Sequence, residues 1–143
     1  MIYPITKLND SYIKFIQDDP VRPLIPIEKR IAENFIILVL LENEAPDAIT
    51  CVSFQDQIPK HEEDLFEVQI KPTIAVFYTI WSYKKGSGRN LIFQATDYIT
   101  KNYPNINRFV TLSPKNEMAH KFHIGNGAVK LRENAHTINY EYV

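Results

Sequence analysis

Two glycines separated by one residue are the first feature of this chain that could do chemistry. Gly86 and Gly88 flank Ser87, and Lys84 and Lys85 precede them. A glycine turn ahead of a helix exposes backbone N–H groups beside the positive end of the helix dipole, which suits a phosphate or pyrophosphate. The spacing lacks the Lys-Ser/Thr ending of a nucleoside triphosphate loop and the third glycine of a dinucleotide-binding loop. The pattern therefore indicates either a phosphate site of another kind or a plain turn.

His123 is the second candidate for chemistry. A histidine can donate or accept a proton near neutral pH, so it could act at a reacting carbonyl. Thr111 and Ser113 are the nearest hydroxyl groups that could assist, although Ser113 precedes Pro114 and is favoured as a helix cap. His120 could share a metal with His123, but no third ligand has a recognisable spacing. The residue types make His123 a candidate for proton transfer, and we predict no metal site.

The pattern of strands and helices places the glycine turn at the end of a central strand. Residues 73–81 form an unbroken apolar run, typical of a strand covered on both faces. Leu91, Ala95 and Ile99 mark a helix after the turn, and Pro104 ends it. Residues 35–41 and 48–54 predict an antiparallel hairpin.

The ends of the chain carry weaker signals. Apolar residues at helical spacing predict a packing helix over residues 8–17, then an irregular proline-rich segment and a short helix within residues 27–33. A helix is predicted to start at Ser113-Pro114 and to end at residues 125–127. The remaining strands are predicted over residues 107–112, 128–131 and 137–143.

The composition fits one globular domain over residues 1–143. The chain is 45% hydrophobic and 23% charged, which is sufficient for one core. A net charge of −1 and a pI of 6.4 provide no basic surface for nucleic acid. No apolar run spans a bilayer, the N-terminus lacks signal-peptide features, and Cys51 lies in an apolar stretch as a buried structural thiol. We expect a cytoplasmic protein without nucleic-acid or membrane partners.

Two motifs resemble those of the GNAT acetyltransferases. Residues 83–92 resemble the coenzyme A loop, written Gln/Arg-x-x-Gly-x-Gly/Ala before a helix, with Tyr83 at the first position. The motif Asn-x-x-Ala-x-x-apolar-Tyr-x-x-x-Gly is matched from Asn116 to Gly127, with His123 in place of the tyrosine. The resemblance implies an α/β (α+β) fold in which helices flank a mixed, mostly antiparallel central sheet.

The same resemblance implies a ligand and its binding residues. The ligand is a coenzyme A thioester, acetyl-CoA or malonyl-CoA, with no metal. Backbone groups at the end of the central strand would bind the pantetheine arm, and the glycine loop would bind the pyrophosphate. The implied residues are Ile80, Trp81, Ser82 and Asn116 for pantetheine, and Lys84, Lys85, Gly86, Ser87, Gly88 and Arg89 for pyrophosphate.

A narrower resemblance covers residues 22–143. Segments 75–80, 109–114 and 122–128 are similar to the C-terminal catalytic domain of malonyl-CoA decarboxylase. In that family the histidine of a His-x-x-Asn-Gly-Ala motif acts in catalysis, and it falls on His123. The family also uses a serine after its third strand, where this chain has Gln-Ile-Pro-Lys at residues 57–60.

Three functions remain open at this point. Malonyl-CoA decarboxylation needs hydrogen-bond donors for an enolate oxygen and a proton for the carbanion, but no base. The lack of a carboxylate in residues 73–83 favours it. The absent family serine favours an N-acetyltransferase, which moves an acetyl group to an amine acceptor with the help of a base. The third function is a non-catalytic acyl-CoA-binding module, and an oligomer is compatible with all three.

Overall fold

One eight-stranded sheet organises the computed structural model, which describes residues 1–143. The strands are β1 (Ile2–Ile5), β2 (Phe35–Leu41), β3 (Pro46–Gln55), β4 (Ile74–Ser82), β5 (Arg108–Thr111), β6 (Ser113–Pro114), β7 (Val129–Glu133) and β8 (Thr137–Tyr142). Their order is β1-β2-β3-β4-β5-β8-β6, with β7 paired to β8. The β4–β5 pair is parallel and the other pairs are antiparallel. The expected mixed, mostly antiparallel sheet is confirmed.

Helices and irregular segments cover both faces of this sheet. The α-helices are α1 (Ile27–Arg30), α2 (Ser87–Asn102) and α3 (Glu117–Gly125), and 3-10 helices span Ile13–Asp18 and Glu62–Phe66. Ala95 and Ile99 of α2 pack on Phe77, whereas Val76 packs with the N-terminal third of the chain on the opposite face. The predicted central strand is therefore covered on both faces. None of the helices combines the length and the apolar character of a membrane-spanning segment.

The predicted helix over residues 8–17 is wrong. This stretch forms turns followed by the 3-10 helix Ile13–Asp18, and the unpredicted strand β1 precedes it. The Asp10 carboxylate accepts a hydrogen bond from the Tyr12 N–H at 2.8 Å, which favours a turn over a helix. The apolar residues of the stretch pack all the same, since Ile16 is buried and Phe15 lies against the same core.

The predicted start of the last helix is also wrong. Ser113 and Pro114 form β6, which pairs with Ile138 and Thr137 of β8. Helix α3 begins three residues later, where the Asn116 side chain accepts from the Ala119 N–H at 2.8 Å. Asn116 is therefore the N-cap, and the capping role predicted for Ser113 is incorrect.

A buried ion pair anchors residues 19–25, which we call the covering segment. Asp19 and Arg30 are 2.7 Å apart, and their side chains are 0% and 1% exposed. Asp19 also accepts from the Thr79 hydroxyl of β4 at 2.6 Å. Burial alone would raise the pKa of the Asp19 carboxyl, but hydrogen bonds from Thr79, Arg30 and the backbone lower it overall. The covering segment is thereby fixed to β4.

We expect Asp19→Asn to lower the free energy of unfolding by about 3–5 kcal/mol, because it leaves the Arg30 charge buried without compensation. The exposed pair of Asp97 with Lys101 provides the control, and Asp97→Asn should cost less than about 0.5 kcal/mol. Since the folded-state pKa of Asp19 is lowered, its contribution is present at neutral pH and is lost as the pH falls through that pKa. Urea unfolding at neutral pH measures both variants, and equal losses would contradict the assigned role.

Candidate functional site

A cleft opens where β4 and β5 part. The two strands pair as far as Phe77 and Thr111, and the Leu112 N–H donates to the Phe77 carbonyl at 3.2 Å. In β4, Tyr78 is an extra residue between the pairs that Thr79 and Phe77 make with β3. Such a bulge bends the strand, and beyond it lies a cavity of about 340 Å³.

The cleft lining contains no Asp, Glu, Lys or Arg. It consists of Pro20, Val21, Phe77, Tyr78, Thr79, Ile80, Trp81, Ser82, Gly88, Leu112, Ser113, Pro114, Asn116, Met118, Ala119, Phe122 and His123. A second cavity, of about 420 Å³, lies at the opposite end of the sheet and contains none of the predicted site residues. The predicted site residues therefore lie at the uncharged cleft and not at the second cavity.

The glycine turn is held in place by its own backbone and by the start of β3. Gly86 adopts a left-handed conformation with φ of 83°, and α2 begins at the next residue. Both the Ser87 hydroxyl and the Tyr83 N–H donate to the Asp47 carbonyl at 2.8 Å. The Ser87 hydroxyl is thus engaged internally, so this residue has its backbone rather than its side chain to offer a ligand.

The turn presents unpaired backbone donors and free cations. The N–H groups of Lys85, Gly86, Gly88 and Arg89 have no acceptor within the chain. Neither Lys84 nor Lys85 forms an ion pair with a carboxylate. Orphan N–H groups at a helix start, together with nearby positive charge, form an anion-binding site.

Gly88 brings the start of α2 against α3. A Cβ atom built on Gly88 would lie 2.8 Å from the Phe122 ring, so a larger residue here would require this ring to shift. The Arg89 guanidinium lies over Phe93 and reaches toward the Gly125 carbonyl at 3.5 Å. The two predicted motifs therefore meet on one side of the cleft.

His123 lines the cleft as a neutral imidazole. Burial lowers its pKa to about 4, which corrects the expectation of a histidine that titrates near neutral pH. Its ring stacks on Tyr140 with centroids 5.1 Å apart, and its Nδ1 lies 2.7 Å from the Tyr142 hydroxyl. Nδ1 is the acceptor that the chain offers to the Tyr142 proton. We therefore assign the ring proton to Nε2, which has no partner in the protein.

Ser113 and Thr111 share a hydrogen bond but not the same surroundings. Their hydroxyl oxygens are 2.8 Å apart, and the Thr111 hydroxyl also accepts from the Tyr140 N–H at 3.1 Å. Ser113 lines the cleft, whereas Thr111 is fully buried and does not. Either hydroxyl can be the donor of this bond. In the arrangement in which Thr111 donates, the Ser113 proton is left for a ligand.

The cleft brings together most of the predicted site residues. Those in its lining are Ile80, Trp81, Ser82, Gly88, Ser113, Asn116 and His123, and the other loop residues flank it. Asn116 uses its side-chain oxygen to cap α3, so its amide nitrogen is the group that remains for a ligand. Thr111 is the exception, because it acts on Ser113 from outside the lining.

Sequence reasoning missed the covering segment and Tyr142. Pro20 and Val21 of the covering segment line the cleft, and no local motif predicts that contact. Tyr142 holds His123. The recurrence of Tyr140 and Tyr142 on one face of a strand was a signal that could have revealed a layer beneath the histidine.

Cys51 is a buried thiol, as predicted. Burial raises its pKa to about 11 even though the Arg30 guanidinium lies 3.5 Å away. The thiol is therefore protonated and unreactive at neutral pH. No group of three His, Cys, Asp or Glu side chains is placed to hold a metal ion.

The lowered pKa of His123 predicts a pH-dependent stability. Between pH 6.5 and about 4 the unfolded chain binds a proton here that the folded chain does not. As the pH is lowered from 6.5 to about 4, the free energy of unfolding should therefore decrease, and His123 should account for about 3 kcal/mol of that decrease. Urea unfolding gives the free energies of unfolding of wild type and His123→Gln. We expect the difference between them to be smaller at about pH 4.5 than at about pH 7. The exposed His120, changed to Gln, is the control, and a narrowing of the same size there would refute the assignment.

Comparison with known proteins identifies the fold. No protein-family model matches the sequence, and no curated protein matches it. Malonyl-CoA decarboxylase from Agrobacterium vitis superposes with a TM-score of 0.80 at 18% identity, over 99% of this chain and 60% of that one. The chain thus spans about 60% of the length of that enzyme.

Two acetyltransferase structures match over nearly their whole length. Tetrahymena Gcn5 has a TM-score of 0.64 at 15% identity, with 100% of this chain and 98% of that one covered. Aminoglycoside N-acetyltransferase AAC(6')-Iy in complex with CoA has a TM-score of 0.59 at 14% identity, with 94% and 92% covered. The chain therefore has a GNAT-like fold, shared with malonyl-CoA decarboxylase and with the acetyltransferases.

Proposed function

We propose that this chain binds an acyl-coenzyme A thioester in the cleft and decarboxylates a malonyl-type acyl group. The observation that carries the proposal is a cleft lining without a carboxylate, in which a neutral His123 has a free ring N–H. That lining contains hydrogen-bond donors for an enolate oxygen and no side-chain base for an ammonium acceptor.

Coenzyme A is the ligand class that fits the charge distribution. Its pyrophosphate matches the orphan N–H groups and lysines of the glycine turn. Its uncharged pantetheine arm matches the neutral cleft, along Ile80 to Ser82 on one side and Asn116 on the other. One bound CoA would thus run from the mouth of the cleft to His123.

The reaction follows from what the cleft offers. A malonyl carboxylate that enters an uncharged cleft loses hydration, which favours cleavage of its bond to the α-carbon. The bonding electrons pass into the thioester as an enolate while CO2 leaves. The His123 Nε2–H and the Ser113 hydroxyl donate to the enolate oxygen, and a neutral imidazole can fill this role. A proton from solvent then converts the enolate to acetyl-CoA.

An N-acetyltransferase is the second candidate. The near-complete coverage of Gcn5 and of the aminoglycoside acetyltransferase favours it. In this cleft the amine would have to arrive unprotonated, since no lining carboxylate removes its proton.

Product analysis by mass separates these functions. The protein is incubated with malonyl-CoA alone, and with acetyl-CoA plus a panel of amines. Conversion of malonyl-CoA to acetyl-CoA supports the proposal, and acetylated amine without decarboxylation supports the second candidate. Binding without either product identifies a non-catalytic acyl-CoA-binding module.

We expect His123→Ala to lower malonyl-CoA turnover by about 100-fold or more, because it removes a donor to the enolate. Ser113→Ala removes the second donor and should cost about tenfold or more. The affinity for CoA without an acyl group should change less than about threefold in either variant. His120→Ala is the matched control, and its turnover should stay at the wild-type rate. A fully active His123→Ala protein would exclude the catalytic role.

The glycine turn gives a separate binding prediction. Gly86→Ala forces a side chain into a left-handed conformation that costs about 1–2 kcal/mol, and the shifted turn should weaken CoA binding by about tenfold. Gly127 has the same sign of φ, 96°, and equally open space, but it lies at the end of α3. Gly127→Ala should therefore lose stability without the affinity loss. Titration calorimetry with CoA and with pantetheine tests this, because pantetheine lacks the pyrophosphate and should bind both variants alike.

A further inference from the structure

One backbone hydrogen bond between β4 and β5 is replaced by a bond from a side chain. In a parallel ladder that continued past Phe77 and Thr111, the Leu112 carbonyl would accept from the Thr79 N–H. Here the Leu112 carbonyl accepts from Arg22 Nη2 at 2.9 Å instead. Arg22 Nε donates to the Tyr78 carbonyl, also at 2.9 Å, and Tyr78 is the bulged residue of β4.

Arg22 therefore bonds to both strands at the point where they separate. Its side chain is only 11% exposed, and its Nη1 pairs with Glu62 at 3.0 Å. The guanidinium is planar with donors in fixed directions, so it sets the spacing between the two carbonyls that it joins. A lysine has one flexible ammonium group and could not hold both carbonyls at that spacing.

The covering segment aims Arg22 at this position. Asp19 accepts from the N–H groups of both Val21 and Arg22, at 2.8 and 3.0 Å. Arg30 Nη2 donates to the Arg22 carbonyl at 2.8 Å. The backbone of Arg22 is thus fixed by the buried ion pair, while its side chain spans the strand ends.

We propose that Arg22 is the positioning residue of the cleft: it takes the place of the missing β4–β5 rung and sets the gap that receives the acyl end of the thioester. This inference rests on the proposed function for the identity of the ligand. Both carbonyls that Arg22 bonds belong to residues of the cleft lining, Tyr78 and Leu112. Next to Leu112 is Ser113, so a shift of this strand end moves a proposed hydrogen-bond donor.

The test separates the acyl end of the ligand from its CoA portion. Arg22→Met removes both bonds to the carbonyls, Arg22→Lys keeps the charge, and Glu62→Gln keeps both bonds but removes the ion pair. We expect Arg22→Met to lower turnover by about 100-fold, as a misplacement near 1 Å can do, and to abolish any preference for acyl-CoA over CoA. CoA affinity should change less than about threefold. Arg22→Lys should lose about tenfold or more in turnover, and Glu62→Gln should match wild type.

Two results of the ligand experiments would overturn the inference. One is an Arg22→Met protein that retains wild-type turnover and acyl preference. The other is a parallel loss of CoA and acyl-CoA affinity, because that marks a general loss of stability. If Arg22→Met does not fold, Arg22→Lys carries the same comparison.

A structural measurement makes the inference independent of the ligand. Crystal structures of wild type and Arg22→Lys should differ in the separation of the Tyr78 and Leu112 carbonyls, and an unchanged separation would overturn the inference. If wild type binds no CoA, the proposed function fails, whereas the strand-spacing role still stands or falls on this measurement.

Discussion

A strand that leaves its neighbour inside a protein exposes backbone carbonyls that need new donors, and the cleft depends on how this chain supplies them. Each buried carbonyl without a partner would cost about 1–3 kcal/mol. Arg22 meets the need at both strand ends. The irregular covering segment therefore does more than cover the sheet, because it supplies the hydrogen bonds to the separated ends of β4 and β5. The buried Asp19–Arg30 pair holds this segment in register with β4.

The same N-terminal region also reaches the glycine turn. The Tyr83 hydroxyl accepts from Trp81 Nε1 at 3.0 Å and donates to Asp18 at 2.6 Å. Burial, together with the bond to Asp18, raises the pKa of Tyr83 to about 12, so the phenol keeps its proton as a donor. Tyr83 stands at the motif position where the GNAT pattern has Gln or Arg. Its contact with Asp18 connects the glycine turn to the covering segment, since Asp18 directly precedes that segment.

Charge is separated along the site. Free lysines and orphan N–H groups lie at the glycine turn, whereas the cleft has neutral hydrogen-bonding groups and no side-chain ion. Hydrogen bonds from neutral donors are strong in such a place because little water competes for them. Tyr142 keeps the His123 ring oriented, and Thr111 holds the Ser113 hydroxyl through their shared hydrogen bond. Tyr142 and Thr111, which lie outside the lining, thus orient the hydrogen-bonding groups that the lining offers to a ligand.

Short sequence patterns were sufficient to predict the central strand, the hairpin before it, the glycine turn and α2. Apolar runs, glycines and prolines constrain the backbone of the residues next to them, so their effect can be read from the local sequence. They also singled out His123, Ser113 and the turn residues. Other properties arise between distant residues. The neutral state of His123 comes from burial beside β8, and the start of α3 was decided by the pairing of Ser113 with Ile138. Arg22 lies 56 residues from Tyr78 and 90 from Leu112. Only the folded chain brings a side chain to carbonyls so far along the sequence, since such a contact leaves no periodicity or motif in the sequence around either partner.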